Sequence, residues 1–301
     1  GFMDCKNLDP QLKALFCFGD QQIFLPHVYR WCRRRRIPFV AYVGTAHSLD
    51  SNFKSKVMNA LFAAGTLRIY KKNPALAKTS AAKEELRQLG VPHAVIAPVG
   101  LDIAVLKKNI PADEKMRLRK EHGFEADDVI LCNVSRLSWE KRPLELIDLF
   151  LQVKGKKKFK LIIVGNGPLE EELNEKIRKN GLEKEVKIYP NVPYEKMWEI
   201  YEMSDYYLNM NKGEIFGMAI MEAVYYKTSV AAIRALGPSV TLKDMKGHKL
   251  CENDDEMAEW ITGPYPSEKD LQESSEKMAA TFTWDRTADA FIQPSSEKSS
   301  R

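Results

Sequence analysis

The chain has 301 residues, 44% hydrophobic and 29% charged, enough apolar material for two ordinary domain cores and too much for a disordered chain. Its apolar runs, such as LIIVG at 161–165, fall far short of the ~20 residues that cross a bilayer, and no charged-then-apolar leader opens it, so a soluble, non-secreted protein is expected. Five scattered cysteines without CxxC spacing argue against a disulfide framework and a zinc cluster and fit a reduced cytoplasm, while the net charge of +5 is modest and locally concentrated.

In chain order, ALFCF (14–18) predicts a strand, Gly19-Asp20 a turn, and 21–36 a helix ending in the basic run RWCRRRR. PFVAYVG (38–44) predicts a strand stopped by glycine, TAHSLDSN a loop, and 53–64 a helix. TLRIYK (66–71) predicts a short strand, TSAAKEELRQLG (79–90) a helix closed by Gly90, and HAVIAP (93–98) another strand. Residues 103–127 read as a charged connection, which sets a domain boundary near 105. Beyond it strands at 129–135, 160–165, 185–189, 205–210 and 228–233 alternate with helices at 142–153, 168–180, 194–203 and 217–226. Nearly continuous apolar strands separated by amphipathic helices indicate an α/β fold whose parallel sheet is covered on both faces. The expected organisation is a partial first domain over 1–105, a doubly wound second domain over 106–290, and a disordered tail, with SSEKSSR, over 291–301.

Ligands of open parallel sheets bind outside the carboxyl ends of the strands. That rule selects Ser135, Arg136 and Lys141 in VSRLSWEKRP, the turn Gly165-Asn166-Gly167-Pro168, and NKGEIFG after the strand at 205–210. Two cations, a glycine turn and an acid on one edge outline a phosphate site, because Gly217 lets backbone approach closely and amides at a helix start favour an anion. Glu214 and Glu222 stand eight positions apart, roughly 12 Å along a helix at ~1.5 Å per residue. A glycosidase pair needs about 5 to 9.5 Å. The spacing instead suits two ends of an extended ligand, a ribose and a transferred group with diphosphate between. The plainer alternative leaves Glu214 as a helix-dipole partner and Glu222 on a solvated face.

VSRLSWEKRP, LIIVGNGPLEEEL, VKIYPNVPYEKMWEIYEMSDYYLNM, EIFGMAIMEA and FTWDRTADAFI, in that order, resemble the motifs of the group-1 (family-four) retaining glycosyltransferases. The likeness covers 128–290 closely and 14–102 more loosely. It implies the GT-B fold of two Rossmann-like domains, the N-terminal one lacking its first strands. It implies that Arg136 and Lys141 hold the donor diphosphate and that Glu222 bonds the ribose hydroxyls. Glu214, with the amides of Phe216, Gly217 and Met218, would address the donor sugar and its phosphate, and Gly165 and Gly167 would belong to the donor site. His47 matches the family histidine that faces the donor sugar. No metal or cofactor is then required beyond the nucleoside diphosphate sugar itself, since cations and helix amides can stabilise the leaving diphosphate.

The chain departs from the pattern in three places, one of them RALGPSVTLKDMKGHKL, which differs from the family's Gly-Gly-Glu type segment and bears on donor identity. It opens at a strand that normally comes later, with no Gly-Gly loop, which suggests a trimmed product or an unusual first domain. After Ala223 the family expects a Gly-x-Pro turn, where this chain has Lys227-Thr228-Ser229. The expected activity is retaining transfer of a sugar from a nucleoside diphosphate to a glycan or lipid-linked acceptor, in cell-surface polysaccharide or glycolipid synthesis. A non-catalytic or truncated sugar-nucleotide-binding fragment is the rival. Arg30 and Arg33 to Arg36, with Trp31 and Phe39 close by, suggest peripheral contact with an anionic membrane at the inner face, against the alternative of a solvated helix end. A nucleic-acid partner is not expected, because no recognition-helix or aromatic-interleaved pattern accompanies the arginines.

Overall fold

A computed structural model of the chain describes residues 8, 9, 11–18, 25–44, 53–107 and 109–292. The chain divides into two units, one formed by Gly1–Gly100 with Trp284–Arg301 and the other by Leu101–Thr283.

The first unit runs β1 (Leu15–Phe18), α1 (Leu25–Arg35), β2 (Phe39–Val43), α2 (Phe53–Ala64), α3 (Thr66–Tyr70), β3 (Ala75–Ala77), α4 (Ser80–Gln88) and β4 (Val95–Ile96). Its four strands are parallel in the order β1-β2-β3-β4. Leu25, Val28 and Cys32, three and four residues apart, bury one side of α1, while Arg33, Arg34 and Arg35 fill its exposed last turn, where cations suit the helix dipole. Phe39, expected near an interface, is instead a core residue packed edge-on against Tyr29. The strand expected over 66–71 is the helix α3. Its buried residues, Thr66, Leu67, Ile69 and Tyr70, fall at i, i+1, i+3 and i+4, and a short apolar run does not distinguish that spacing from a strand. The strand of this stretch is β3, whose residues Ala75, Leu76 and Ala77 are all buried.

The second unit begins with α5 (Glu114–Glu121), β5 (Val129–Val134), α6 (Pro143–Val153), β6 (Phe159–Val164), α7 (Glu170–Lys179) and β7 (Val186–Tyr189). It continues with α8 (Met197–Met203), β8 (Tyr206–Asn209), α9 (Met218–Tyr225), β9 (Ser229–Ile233), α10 (Leu236–Thr241), β10 (Lys249–Cys251), α11 (Asp254–Thr262) and α12 (Glu268–Thr281). The six strands are all parallel in the order β10-β9-β8-β5-β6-β7. From β5 the chain winds outward to β7, returns to the centre at β8, and winds the other way to β10. This reversal between β5 and β8 is the topological switch point of a doubly wound sheet, where helices on the two faces part and leave a crevice. Continuous burial of β8 and β9 follows from cover on both faces.

The last helix, α13 (Trp284–Ile292), belongs to the first unit. Ala290 packs with Tyr42, Leu76 and Ala97, and the Thr287 hydroxyl donates to the Pro98 carbonyl at 2.5 Å. Residues 284–290, assigned to the second domain from sequence order, therefore cover the first sheet, and the division falls at 100 rather than near 105. Of the tail expected over 291–301, residues 291 and 292 instead complete α13, and 293–301 lie outside the described residues.

At the amino ends of the second sheet, Asp205 accepts from the Arg119 guanidinium at 2.7 Å, from Lys115 at 2.9 Å and from the Ile130 amide at 2.8 Å. Arg119 also donates to the carbonyls of Met203 and Asp128. This buried network ties α5 to the starts of the two central strands, away from the crevice. Arg119→Ala leaves Asp205 with only Lys115 and the Ile130 amide and strips the Met203 and Asp128 carbonyls of their guanidinium donor. It is therefore expected to lower the unfolding free energy by about 3 kcal/mol in urea titration. A loss under about 1 kcal/mol would match an exposed pair and refute the burial argument.

Candidate active site

Two loops leave the carboxyl ends of β5 and β8 and meet over the crevice. The first, 135–142, lies on the turn after β6. Leu137 N–H donates to the Asn166 carbonyl at 2.8 Å, and Leu169 N–H to the Leu137 carbonyl at 3.0 Å. A Cβ at Gly165, where φ is 135°, would stand 2.0 Å from the Ser135 carbonyl oxygen, and one at Gly167 would stand 2.4 Å from that of Leu137. The two glycines are thus demanded by backbone approach beneath the loop. The loop closes with a short 3-10 turn, Trp139–Lys141, and Arg142 in the left-handed region at φ 55°, ψ 48° before Pro143 starts α6.

The second loop, 210–217, is held by its own amides. Asn211 N–H donates to Asn209 Oδ1 at 3.0 Å and Gly213 N–H to Asn211 Oδ1 at 2.9 Å. Asn211 Nδ2 in turn donates to Glu214 Oε2 at 3.1 Å. Lys141 Nζ reaches across from the first loop to the same oxygen at 2.8 Å. Gly237, at the start of α10, donates its N–H to the Glu214 carbonyl at 2.8 Å, and a Cβ there would meet Phe216 N at 2.5 Å. The loop ends at Gly217, left-handed at φ 86°, and the chain turns into α9, whose first amides have no intrahelical acceptor.

The two glutamates occupy opposite environments. Burial works against ionising Glu214, but the Lys141 hydrogen bond and charge, with Asn211 and Asn209, outweigh it and hold the carboxyl below its usual range. Glu222, in the second turn of α9, is only 8% exposed. Burial pushes its carboxyl up against the opposing hydrogen bonds of Tyr201 at 2.8 Å and Tyr194 at 3.4 Å. Burial likewise raises Tyr194 to about 12 and Tyr201 well above the ordinary phenol, so both remain donors. Glu214 is a carboxylate on a cation and Glu222 an acid in a tyrosine box. The solvated-face alternative for Glu222 does not hold.

Of the residues expected from sequence, Lys141, Glu214, Phe216, Gly217 and Met218 come together at the crevice, and Arg136 lies exposed on the first loop. Gly165 and Gly167 support that loop. His47 lies outside the described residues. Sequence reasoning missed Asn209, Asn211 and Gly237, which position Glu214, and the tyrosine partners of Glu222. Two signals were available: Asn209 and Asn211 sit at and just past the end of a strand, and Tyr194 and Tyr201 are seven residues apart, one helical face. The turn that departs from the family is formed without glycine. Lys227 takes the left-handed conformation at φ 60°, with its N–H on the Val224 carbonyl at 3.0 Å and the Thr228 N–H on that of Ala223 at 2.9 Å. Among the described residues no cluster of His, Cys, Asp or Glu could hold a metal ion.

A doubly wound parallel sheet, with a lysine and a helix start at its switch point, defines an α/β protein of the class that binds ligands at the carboxyl ends of its strands. Residues 114–278 match the family "Glycosyl transferases group 1", more than half of the chain, and the chain belongs to that family. It is similar to the D-inositol 3-phosphate glycosyltransferase of Mycobacterium avium, 26% identical over 235 residues, covering 69% of this chain and 52% of that protein. It is also similar to the alpha-monoglucosyldiacylglycerol synthase of Streptococcus pneumoniae, 24% identical over 139 residues, covering 46% of this chain and 32% of that one. The chain spans about half the length of the M. avium relative, 52%, and 32% of the S. pneumoniae one. Its fold matches that of Anabaena HepE in complex with UDP and glucose, with a TM-score of 0.76 at 17% identity over 93% of this chain and 77% of that one. The architecture is therefore the GT-B fold.

Because folding raises the Glu222 carboxyl, its burial costs nothing while the group is protonated in both states. The cost grows as pH climbs from the ordinary glutamate value of 4.5 through the raised folded value. Glu222→Gln should accordingly match the wild type in melting temperature near pH 4 and exceed it at pH 7. A difference that stayed constant across that range would contradict the assignment.

Proposed function

We propose that the protein is a retaining glycosyltransferase that moves a sugar from a nucleoside diphosphate to an acceptor. The observation that carries this reading is the Lys141–Glu214 ion pair at the switch point, beside the open amides that begin α9. Lys141 and Arg136 would hold the diphosphate and, with the amides of Gly217 and Met218, stabilise the negative charge that grows on it as the anomeric C–O bond breaks. Glu214, kept ionised, would bond the donor sugar or oppose the developing oxocarbenium charge. Glu222 would accept from the ribose hydroxyls, its second carboxylate oxygen held by Tyr201. Retention follows if the acceptor attacks from the face the diphosphate leaves, with the departing phosphate taking its proton. His47 is proposed, on the family resemblance alone, to line that face.

The acceptor class is proposed from the relatives, whose names speak of an inositol phosphate and a glucosylated diacylglycerol. Synthesis of a cell-surface polysaccharide or glycolipid fits both. Exposure of Arg30 and Arg33 to Arg36 supports contact with an anionic surface, each cation contributing on the order of 1 kcal/mol. Among the described residues no helix is long and apolar enough to cross a membrane.

Calorimetric titration with UDP, GDP and ADP tests the donor site. Lys141→Ala and Arg136→Ala should each weaken the preferred nucleotide about tenfold or more, since a charge-assisted hydrogen bond contributes roughly 1.5–3 kcal/mol. The exposed Arg136 should be removed with little loss of stability, whereas Lys141→Ala also takes the cation from the half-buried Glu214 and should lower stability measurably. Glu222→Gln should lower nucleotide affinity and Glu214→Gln chiefly turnover of the donor sugar. Unchanged affinity in both cation variants would remove the phosphate assignment. Nucleotide binding without any transfer or donor hydrolysis would favour the binding-fragment alternative. Sedimentation with anionic and neutral vesicles tests the arginines: binding should require anionic lipid, fall with salt, and be lost when Arg33, Arg34 and Arg35 become serine.

A further inference from the structure

Arg142 follows Lys141 and sits where a side chain is least welcome, in the left-handed region at φ 55° and ψ 48°. A non-glycine residue persists in that conformation only when its surroundings fix it. Here they do. Arg142 Nη1 and Nη2 donate to the two carboxylate oxygens of Asp254 at 3.0 and 2.8 Å, a fork-on-fork pair, and Nη1 also donates to the Met210 carbonyl at 3.3 Å. A weaker contact runs from Nε to Glu145 at 3.4 Å. Asp254 is the first residue of α11, whose start is fixed independently by the Asn253 side chain accepting from Glu256 N–H at 2.9 Å.

Adjacent residues of the first loop therefore grip the second loop at two points. Lys141 holds its far part through the Glu214 side chain, and Arg142 holds its root through the Met210 carbonyl. Asp254 orients the guanidinium, since a bidentate carboxylate leaves it little rotational freedom. Without that anchor the root of the 210–214 segment would hang on its internal asparagine bonds, since Lys141 and the Gly237 amide hold only Glu214 at its far end.

We propose that Arg142, locked by Asp254, is a positioning residue of the donor site that sets the spacing of Lys141 and Glu214. This rests on the donor-site reading above. The pair contributes through geometry, with no contact to substrate required of either residue.

The test combines two readouts on Arg142→Gly, Arg142→Lys, Asp254→Asn and the Arg142→Gly/Asp254→Asn double variant. Glycine suits the left-handed backbone, so Arg142→Gly removes the guanidinium without straining the fold. Hydrogen exchange of the nucleotide-free protein should show faster exchange confined to 210–217 in Arg142→Gly and Asp254→Asn. Lysine keeps the charge but not the fork, so Arg142→Lys should rescue little. The double variant should be no worse than the worse single one. With donor sugar, kcat/KM should fall on the order of ten- to a hundredfold, mainly in kcat, while the melting temperature stays near the wild-type value. Exchange at 210–217 unchanged in every variant would overturn the proposal, as would a rate loss fully accounted for by lowered stability. If the wild type neither binds nor turns over a nucleotide sugar yet exchange rises at 210–217, the clamp stands and the donor-site reading fails.

Discussion

One ion pair across the centre of the second sheet organises the candidate site. Where strand order reverses between β5 and β8, the fold leaves a gap, and Lys141 and Glu214 close it at 2.8 Å from opposite loops. Each partner is held by a separate device. Gly165 and Gly167 let the turn after β6 press against the backbone beneath the lysine loop, and Asn209, Asn211 and Gly237 fix the glutamate loop. Neither side chain is free to wander, so the pair presents a cation and an ionised acid at a defined separation. A bound diphosphate would compete with Glu214 for the ammonium, and the unliganded pair keeps that charge from being stranded in a half-buried crevice.

The two acids of EIFGMAIMEA show how one short motif places two carboxyl groups in opposite environments. Glu214 precedes α9 and lies against Lys141, which keeps it ionised despite burial. Glu222 faces Tyr201 and Tyr194 from inside the same helix, and its carboxyl is pushed up by burial. The unit is held by its apolar core, in which Leu131, Ile147, Phe150, Leu161, Ile163 and Leu208 are buried together, and the Asp205–Arg119 network at the opposite ends of the strands is costly to break once formed.

Much of this was legible in the sequence, for definite reasons. Strands that are buried on both faces read as unbroken apolar runs, so β5, β6, β8 and β9 stood out, and residues just past them could be selected by the strand-end rule. The helix α3 reads as a strand because a five-residue stretch in which only Leu67, Ile69 and Tyr70 are apolar carries no decisive period. The return of α13 to the first sheet was invisible because the amphipathic face of a helix does not say which sheet covers it. Gly165 and Gly167 are selected by their place after a strand, and the backbone contacts that also demand glycine there are revealed only in three dimensions. Arg142 and Lys227, left-handed without being glycine, lie beyond any propensity argument.

The central claim is that the crevice at the switch point is a diphosphate site built on Lys141 and the start of α9. A crystal structure of the protein soaked with its preferred nucleoside diphosphate tests it most directly. The account predicts phosphate oxygens within hydrogen-bond distance of Lys141 Nζ and of the Gly217 or Met218 amide, with ribose hydroxyls on Glu222. Nucleotide density elsewhere on the molecule, with the Lys141–Glu214 pair unaltered, would contradict it.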